Sequence, residues 1–180
     1  GKAKPMLVVM PNGNAAQIVS QGYAYGATPP RQSVTAPAPP PVQAAQSAGP
    51  GRGPGGGGRG PQVYEGSYPQ SLVKEVIPFV EKAFRVIANK ENRAIAGLSM
   101  GGGHTTMATN NNPGVFGWIA VWSAGGPEGP DDEGYVNTLK KVNAGGVKHY
   151  WIGAGTTDFA LNGAKNLYAA AQKADLNTTF

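Results

Sequence analysis

The chain has 180 residues, a formal net charge of +5 and no cysteine, which excludes disulfides, thiolate nucleophiles and cysteine zinc sites. Arg31, Arg52 and Arg59 all lie in one Pro/Gly-rich segment, so the remainder is close to neutral and carries no basic stripe interleaved with aromatics; nucleic acid is excluded as a partner on that ground. No apolar run approaches the roughly 18 residues of a membrane span, so no membrane partner is expected, and nothing at the start of the chain reads as a signal peptide.

Met6-Leu7-Val8-Val9-Met10 is a short apolar run closed by Pro11-Asn12-Gly13-Asn14, and it predicts a strand buried on both faces, as in a parallel sheet. Residues 27–62 then hold 17 of the 28 Gly and 16 Pro, with no aromatic and no acidic residue. Such a composition cannot bury enough apolar surface to offset its ordering entropy. One domain over residues 1–180, interrupted by a low-complexity insertion at 27–62, is the expected organisation. Leu72, Val73, Val76, Ile77, Val80 and Phe84 recur at helical spacing and predict an amphipathic helix over 71–84, kinked by Pro78 near 74–77. A second strand is expected over 93–98 and a helix over 103–109, ended by Asn110-Asn111-Asn112-Pro113. Strands over 118–122 and 148–152 and helices over 135–142 and 163–174 complete the pattern. Strands alternating with helices imply an α/β fold built on a doubly wound, mostly parallel sheet.

Gly97-Leu98-Ser99-Met100-Gly101 matches G-x-S-x-G in the context that makes the match informative, after an apolar strand and before a helix. A serine on a tight strand-to-helix turn has a strained backbone and holds its hydroxyl clear of the sheet. Small residues two before and two after it, Gly97 and Gly101, avoid clashes at that turn. The Met100 N–H then points at the position where a tetrahedral oxyanion forms, beside the positive end of the helix. A serine nucleophile needs a base, and the base an orienting acid. Tyr150-Trp151-Ile152-Gly153-Ala154-Gly155-Thr156-Thr157-Asp158 runs a buried strand into a loop on the same sheet edge, which makes Asp158 the candidate acid.

Neither histidine fits the base. His104 is carried away from Ser99 along the helix, and His149 begins the strand that leads to Asp158, roughly 20 Å below that edge. Two separated histidines and Asp131-Asp132-Glu133, read as a solvated turn and helix start, give no metal ligand set. Gly101-Gly102-Gly103 is not followed by the Lys-Ser/Thr of a phosphate loop, and no cofactor is expected.

Val73 to Glu81, Phe84-Arg85-Val86 and the stretch from Arg93 through Gly102 resemble the esterase D and feruloyl esterase group of α/β-hydrolases, related to carbohydrate esterases that act on plant xylan. Val8 to Gly13, Phe116-Gly117-Trp118, Trp122-Ser123-Ala124-Gly125 and Trp151 to Thr156 fit the same group. The resemblance implies a serine carboxylester hydrolase acting through an acyl-enzyme on feruloyl or acetyl esters of plant polysaccharide. Ser99 is its nucleophile, Met100 an oxyanion donor and Asp158 the triad acid. It also implies that early strands precede Gly1, that the catalytic histidine follows Phe180, and that the protein is secreted or periplasmic. Trp122 and Tyr64 are candidate aromatic contacts for a substrate ring. Acyl transfer to a sugar, siderophore ester hydrolysis, or a binding module that has lost its histidine are the competing functions.

Overall fold

The structure, a computed structural model, describes residues 5–11 and 63–180. The insertion expected at 27–62, and Asn12, Gly13 and Asn14 of the turn expected before it, lie outside the described residues.

The helical segment begins earlier than its apolar spacing predicts. Ser67 caps α1 (Tyr68–Ser71) by accepting the Gln70 N–H, and Pro69 occupies the first turn, where its missing N–H costs nothing. The expected kink takes the form of a π-helical stretch, Leu72–Val76, ahead of α2 (Ile77–Ala83), with the Ile77 N–H donating to the Leu72 carbonyl. Pro78 has no N–H to offer the Lys74 carbonyl, and widening the turn just before it accommodates that loss. An ion pair between Glu81 and Arg93 ties α2 to the residue that precedes β1 (Ala94–Leu98), and Arg93 also donates to the Val115 carbonyl at 2.7 Å.

From β1 the chain alternates regularly. α3 (Met100–Asn111) leads to β2 (Trp118–Trp122), α4 (Glu133–Ala144) to β3 (His149–Gly153), and α5 (Leu161–Lys173) to the short β4 (Thr178–Thr179). Asp132 starts α4 by accepting the Tyr135 N–H, so the acidic triplet is a helix start. α3 begins three residues before its predicted position. Its triple glycine disfavours helix, and packing against β1 and β2 overrides that weak preference.

The four strands are parallel in the order β1-β2-β3-β4, which is the α/β architecture the alternation implies. Ile119, Val121, Tyr150 and Ile152 face the crossover helices and are buried with Ala108, Leu139, Val142, Leu167 and Ala171. Each fully buried Leu or Ile among them contributes about 1.5–3 kcal/mol. Alternation puts Ala94, Ala96, Leu98, Trp118, Trp122 and Trp151 on the other face, where Leu98, Trp118 and Trp151 are exposed. Among the described residues no helix is long and apolar enough to cross a membrane.

Residues 6–10 do not form the strand predicted for them. They are exposed and belong to no ladder, and the segment is held near α1 by the Tyr68 hydroxyl, which donates to the Pro11 carbonyl at 3.2 Å. A β-branched run becomes a strand only when a neighbouring chain takes up its N–H and C=O groups. Here Pro5, Met6, Leu7, Val9, Met10 and Pro11 share a cavity of about 870 Å³ with Arg93 to Ala96, and among the described residues no ladder joins the two stretches.

Candidate active site

Leu98, Trp122 and Gly153 lie side by side in register, so β1, β2 and β3 end along one carboxyl edge. Ser99, Ser123 and Ala154 are each one residue beyond that row.

Ser99 has φ 55° and ψ −115°, a backbone conformation that costs a non-glycine residue about 1–3 kcal/mol. Two hydrogen bonds hold it there. Its N–H donates to the Trp122 carbonyl at 2.9 Å, as a strand residue would, and its carbonyl accepts the Gly103 N–H at 3.1 Å, as the start of α3 would. The chain thus changes from strand to helix within a single residue. A Cβ at Gly97 would lie 2.0 Å from the Gly101 carbonyl oxygen, so that position excludes any side chain. Gly101 itself is not crowded, contrary to the sequence argument, since a Cβ there meets nothing within 4 Å. The second tight position is Gly102, whose Cβ would lie 2.5 Å from that of Ala124. Met100 opens α3 half-exposed, in the first turn whose N–H groups have no intrahelical acceptor and carry the positive end of the helix.

Asp158 lies in the loop that follows β3. Its N–H donates to the Gly155 carbonyl at 3.0 Å, and its own carbonyl accepts the Leu161 N–H at 3.0 Å, where α5 begins. Oδ1 accepts the Ala160 N–H at 2.8 Å. The Asp158 carboxyl is held below the usual aspartate range by hydrogen bonding, from the nearby Ser123 side chain first and then from the Ala160 and Gly155 amides.

Ser123 was not among the sequence candidates. It has φ 48°, and its N–H donates to the Gly153 carbonyl at 2.8 Å. The available signal was positional: like Ser99, it directly follows a buried strand, and Ala124-Gly125-Gly126-Pro127 marks a turn behind it.

The histidines and aromatics separate. His149 starts β3 beside Trp118, at the opposite edge of the sheet. The His104 ring packs 5.1 Å from that of Tyr68, in the wall of the cavity between the helices and β1. Trp122 remains at the carboxyl edge, edge-on to Trp151 with ring centroids 5.5 Å apart. The Tyr64 hydroxyl accepts from Asn112 at 2.6 Å, beyond the far end of α3, and a helix of that length carries it roughly 18 Å from Ser99. Of the two candidate ring contacts, only Trp122 stands near the serine.

Over 88 residues the chain is 38% identical to an endo-1,4-beta-xylanase/feruloyl esterase of Xylanibacter ruminicola, a match covering 49% of this chain and 11% of that protein. The chain therefore spans a small part of that relative's length. A solved structure of a ferulic acid esterase superposes with a TM-score of 0.49 at 25% identity, over 63% of this chain and 52% of the other. The family model described as "Putative esterase" matches residues 53–179, taking in every element from α1 to β4 with the strained serine and the Asp158 loop, and the chain belongs to that esterase family.

Proposed function

We propose that this esterase is a serine carboxylester hydrolase that works through an acyl-enzyme on feruloyl or acetyl esters of plant polysaccharide. The observation that carries the proposal is the backbone of Ser99, turned at φ 55° between β1 and α3 with the Asp158 loop at the same sheet edge. The name of the Xylanibacter relative supports the feruloyl branch.

In the proposed reaction Ser99 Oγ bonds to the ester carbonyl carbon as its proton passes to a base. The carbonyl oxygen becomes an oxyanion, and the Met100 N–H donates to it, a contribution of about 3 kcal/mol per donor in serine hydrolases. Collapse breaks the bond to the alkoxy oxygen, the base returns its proton to the departing alcohol, and the acyl group stays on Ser99. Water then repeats the cycle and releases the acid. Asp158 holds the base in orientation and balances the charge it acquires. Neither His104 nor His149 lies at that edge, so the base in this proposal is a histidine beyond these 180 residues. Trp122 offers its ring to the aromatic acyl group.

An alkylphosphonate probe applied to the intact protein should label Ser99, and Ser99→Ala should abolish the label. Labelling that survives the substitution would overturn the assignment. Turnover of matched feruloyl and acetyl esters separates the two substrate branches.

A further inference from the structure

Gly153 is a glycine that its own backbone does not require. It closes β3, and it is not among the described glycines with positive φ, so the left-handed region that favours glycine is not what selects it. A glycine in a strand loses more chain entropy on folding than other residues and packs no side chain, and it marks a place that another group approaches closely. Here that group is Trp122. The two residues are partners in the parallel register of β2 with β3, so both side-chain positions lie on the same face of the sheet. A Cβ at Gly153 would stand 3.1 Å from Trp122 Cδ1 and 3.8 Å from its Nε1, close enough that the indole would have to give by a few tenths of an ångström. The pyrrole edge of the indole therefore leans over β3, into space that a side chain at 153 would fill.

Trp151 braces the ring. It stands two residues before Gly153 on the same face, opposite the small Ala120, and meets Trp122 edge-on with ring centroids 5.5 Å apart, an arrangement that the quadrupoles of two aromatic rings favour. The backbone of Trp122 is fixed as well, since its carbonyl accepts the Ser99 N–H at 2.9 Å. The ring is only half-buried, which leaves part of it open to a ligand at the edge that carries Ser99. We propose that Gly153 is a positioning residue for substrate recognition: lacking a side chain, it lets the Trp122 indole lie across β3 against Trp151, and that seat sets a preference for aromatic over aliphatic acyl groups. The inference rests on the esterase reading and adds to it the residue that shapes the acyl site.

A graded pair of substitutions in the intact protein tests it. Gly153→Ala asks the indole to shift slightly, and Gly153→Val, which suits a strand, puts branched methyls where the ring lies. The ratio of kcat/KM for a feruloyl ester to that for the matched acetyl ester should fall in Gly153→Ala and fall further, about tenfold, in Gly153→Val, the size of a lost aromatic contact. The loss should appear in KM for the feruloyl ester more than in kcat. On a Trp122→Ala background neither substitution should lower the ratio or the thermal midpoint further, because the ring they displace is gone. Circular dichroism gives a readout independent of turnover. Two indoles at 5.5 Å couple as an exciton pair, the difference spectrum against Trp151→Phe isolates their couplet, and it should shrink from wild type through Gly153→Ala to Gly153→Val. A wild-type ester ratio in both variants, a further fall on the Trp122→Ala background, or an unchanged couplet overturns the proposal. If Gly153→Val does not fold, Gly153→Ala and its double variant with Trp122→Ala decide the matter. An intact protein that hydrolyses neither ester sinks the esterase reading instead, and the couplet alone then decides whether Gly153 seats Trp122.

Discussion

Asp158 earns its low carboxyl range from hydrogen bonds alone, chiefly the Ser123 hydroxyl and then two loop amides, and that origin has consequences for stability as well as chemistry. An unfolded chain releases an aspartate proton near about pH 3.9. Because the folded chain releases it lower, the ionised form stabilises the fold above that value, and the contribution is lost as pH falls through the folded value. Asp158→Asn cannot titrate. Urea unfolding of wild type and Asp158→Asn should therefore differ most near neutral pH and converge on acidification. A gap that stays constant from neutral to strongly acidic pH would show that hydrogen bonding to the charge is not what the residue contributes. In the intact protein the same substitution should lower turnover by about 10⁴, the loss seen when a triad acid is made neutral.

At the scale of elements, the turn between β1 and α3 stands on two glycines rather than on the pair that flanks the serine symmetrically. Gly97→Ala drives a methyl into the Gly101 carbonyl, which is backbone and cannot swing aside, so it should cost at least the 1–3 kcal/mol typical of overpacking. Gly101→Ala enters open space on a helix and should be neutral or stabilising by up to about 1 kcal/mol. Thermal melts of the two variants check this, and equal losses would mean that the turn is not set by the Gly97–Gly101 contact. The sequence motif made Ser99 and Gly97 legible because local geometry alone demands them. It could not separate Gly101 from Gly102, because the crowding at Gly102 comes from Ala124, beyond the next strand. The place of Ser123 after a strand could be read, but not its tie to the next strand, since its N–H meets the Gly153 carbonyl only through the register of β2 with β3. The strand over 118–122 was read correctly from five apolar residues in a row. Met6 to Met10 has the same kind of run and no ladder partner among the described residues, and composition does not record whether a partner is there.

For the molecule as a whole, the open question is the outer edge of β1. It ends the sheet order among the described strands, with Pro5 to Pro11 across a cavity of about 870 Å³. In a parallel ladder the N–H and C=O of one residue point to the same side, and consecutive residues alternate. Ser99 donates to Trp122 and the Arg93 carbonyl accepts from Gly117, so positions 93 and 99 face β2, and alternation adds 95 and 97. Ala94, Ala96 and Leu98 accordingly turn their N–H and C=O groups away from β2, and Ala94 and Ala96 line the cavity. Such groups form no ladder, and water reaches them without the strand having to separate from β2. Amide hydrogen exchange of the 180-residue chain should therefore alternate along β1: slow at Ile95, Gly97 and Ser99, and faster by orders of magnitude at Ala94, Ala96 and Leu98. The contrast is internal to six consecutive residues, β1 and the serine that follows it, so a general loosening of the fold would raise all the rates and leave the alternation visible. Protection at Ala96 equal to that at Gly97 would mean that another stretch of backbone is hydrogen-bonded along this edge, and that β1 is an interior strand.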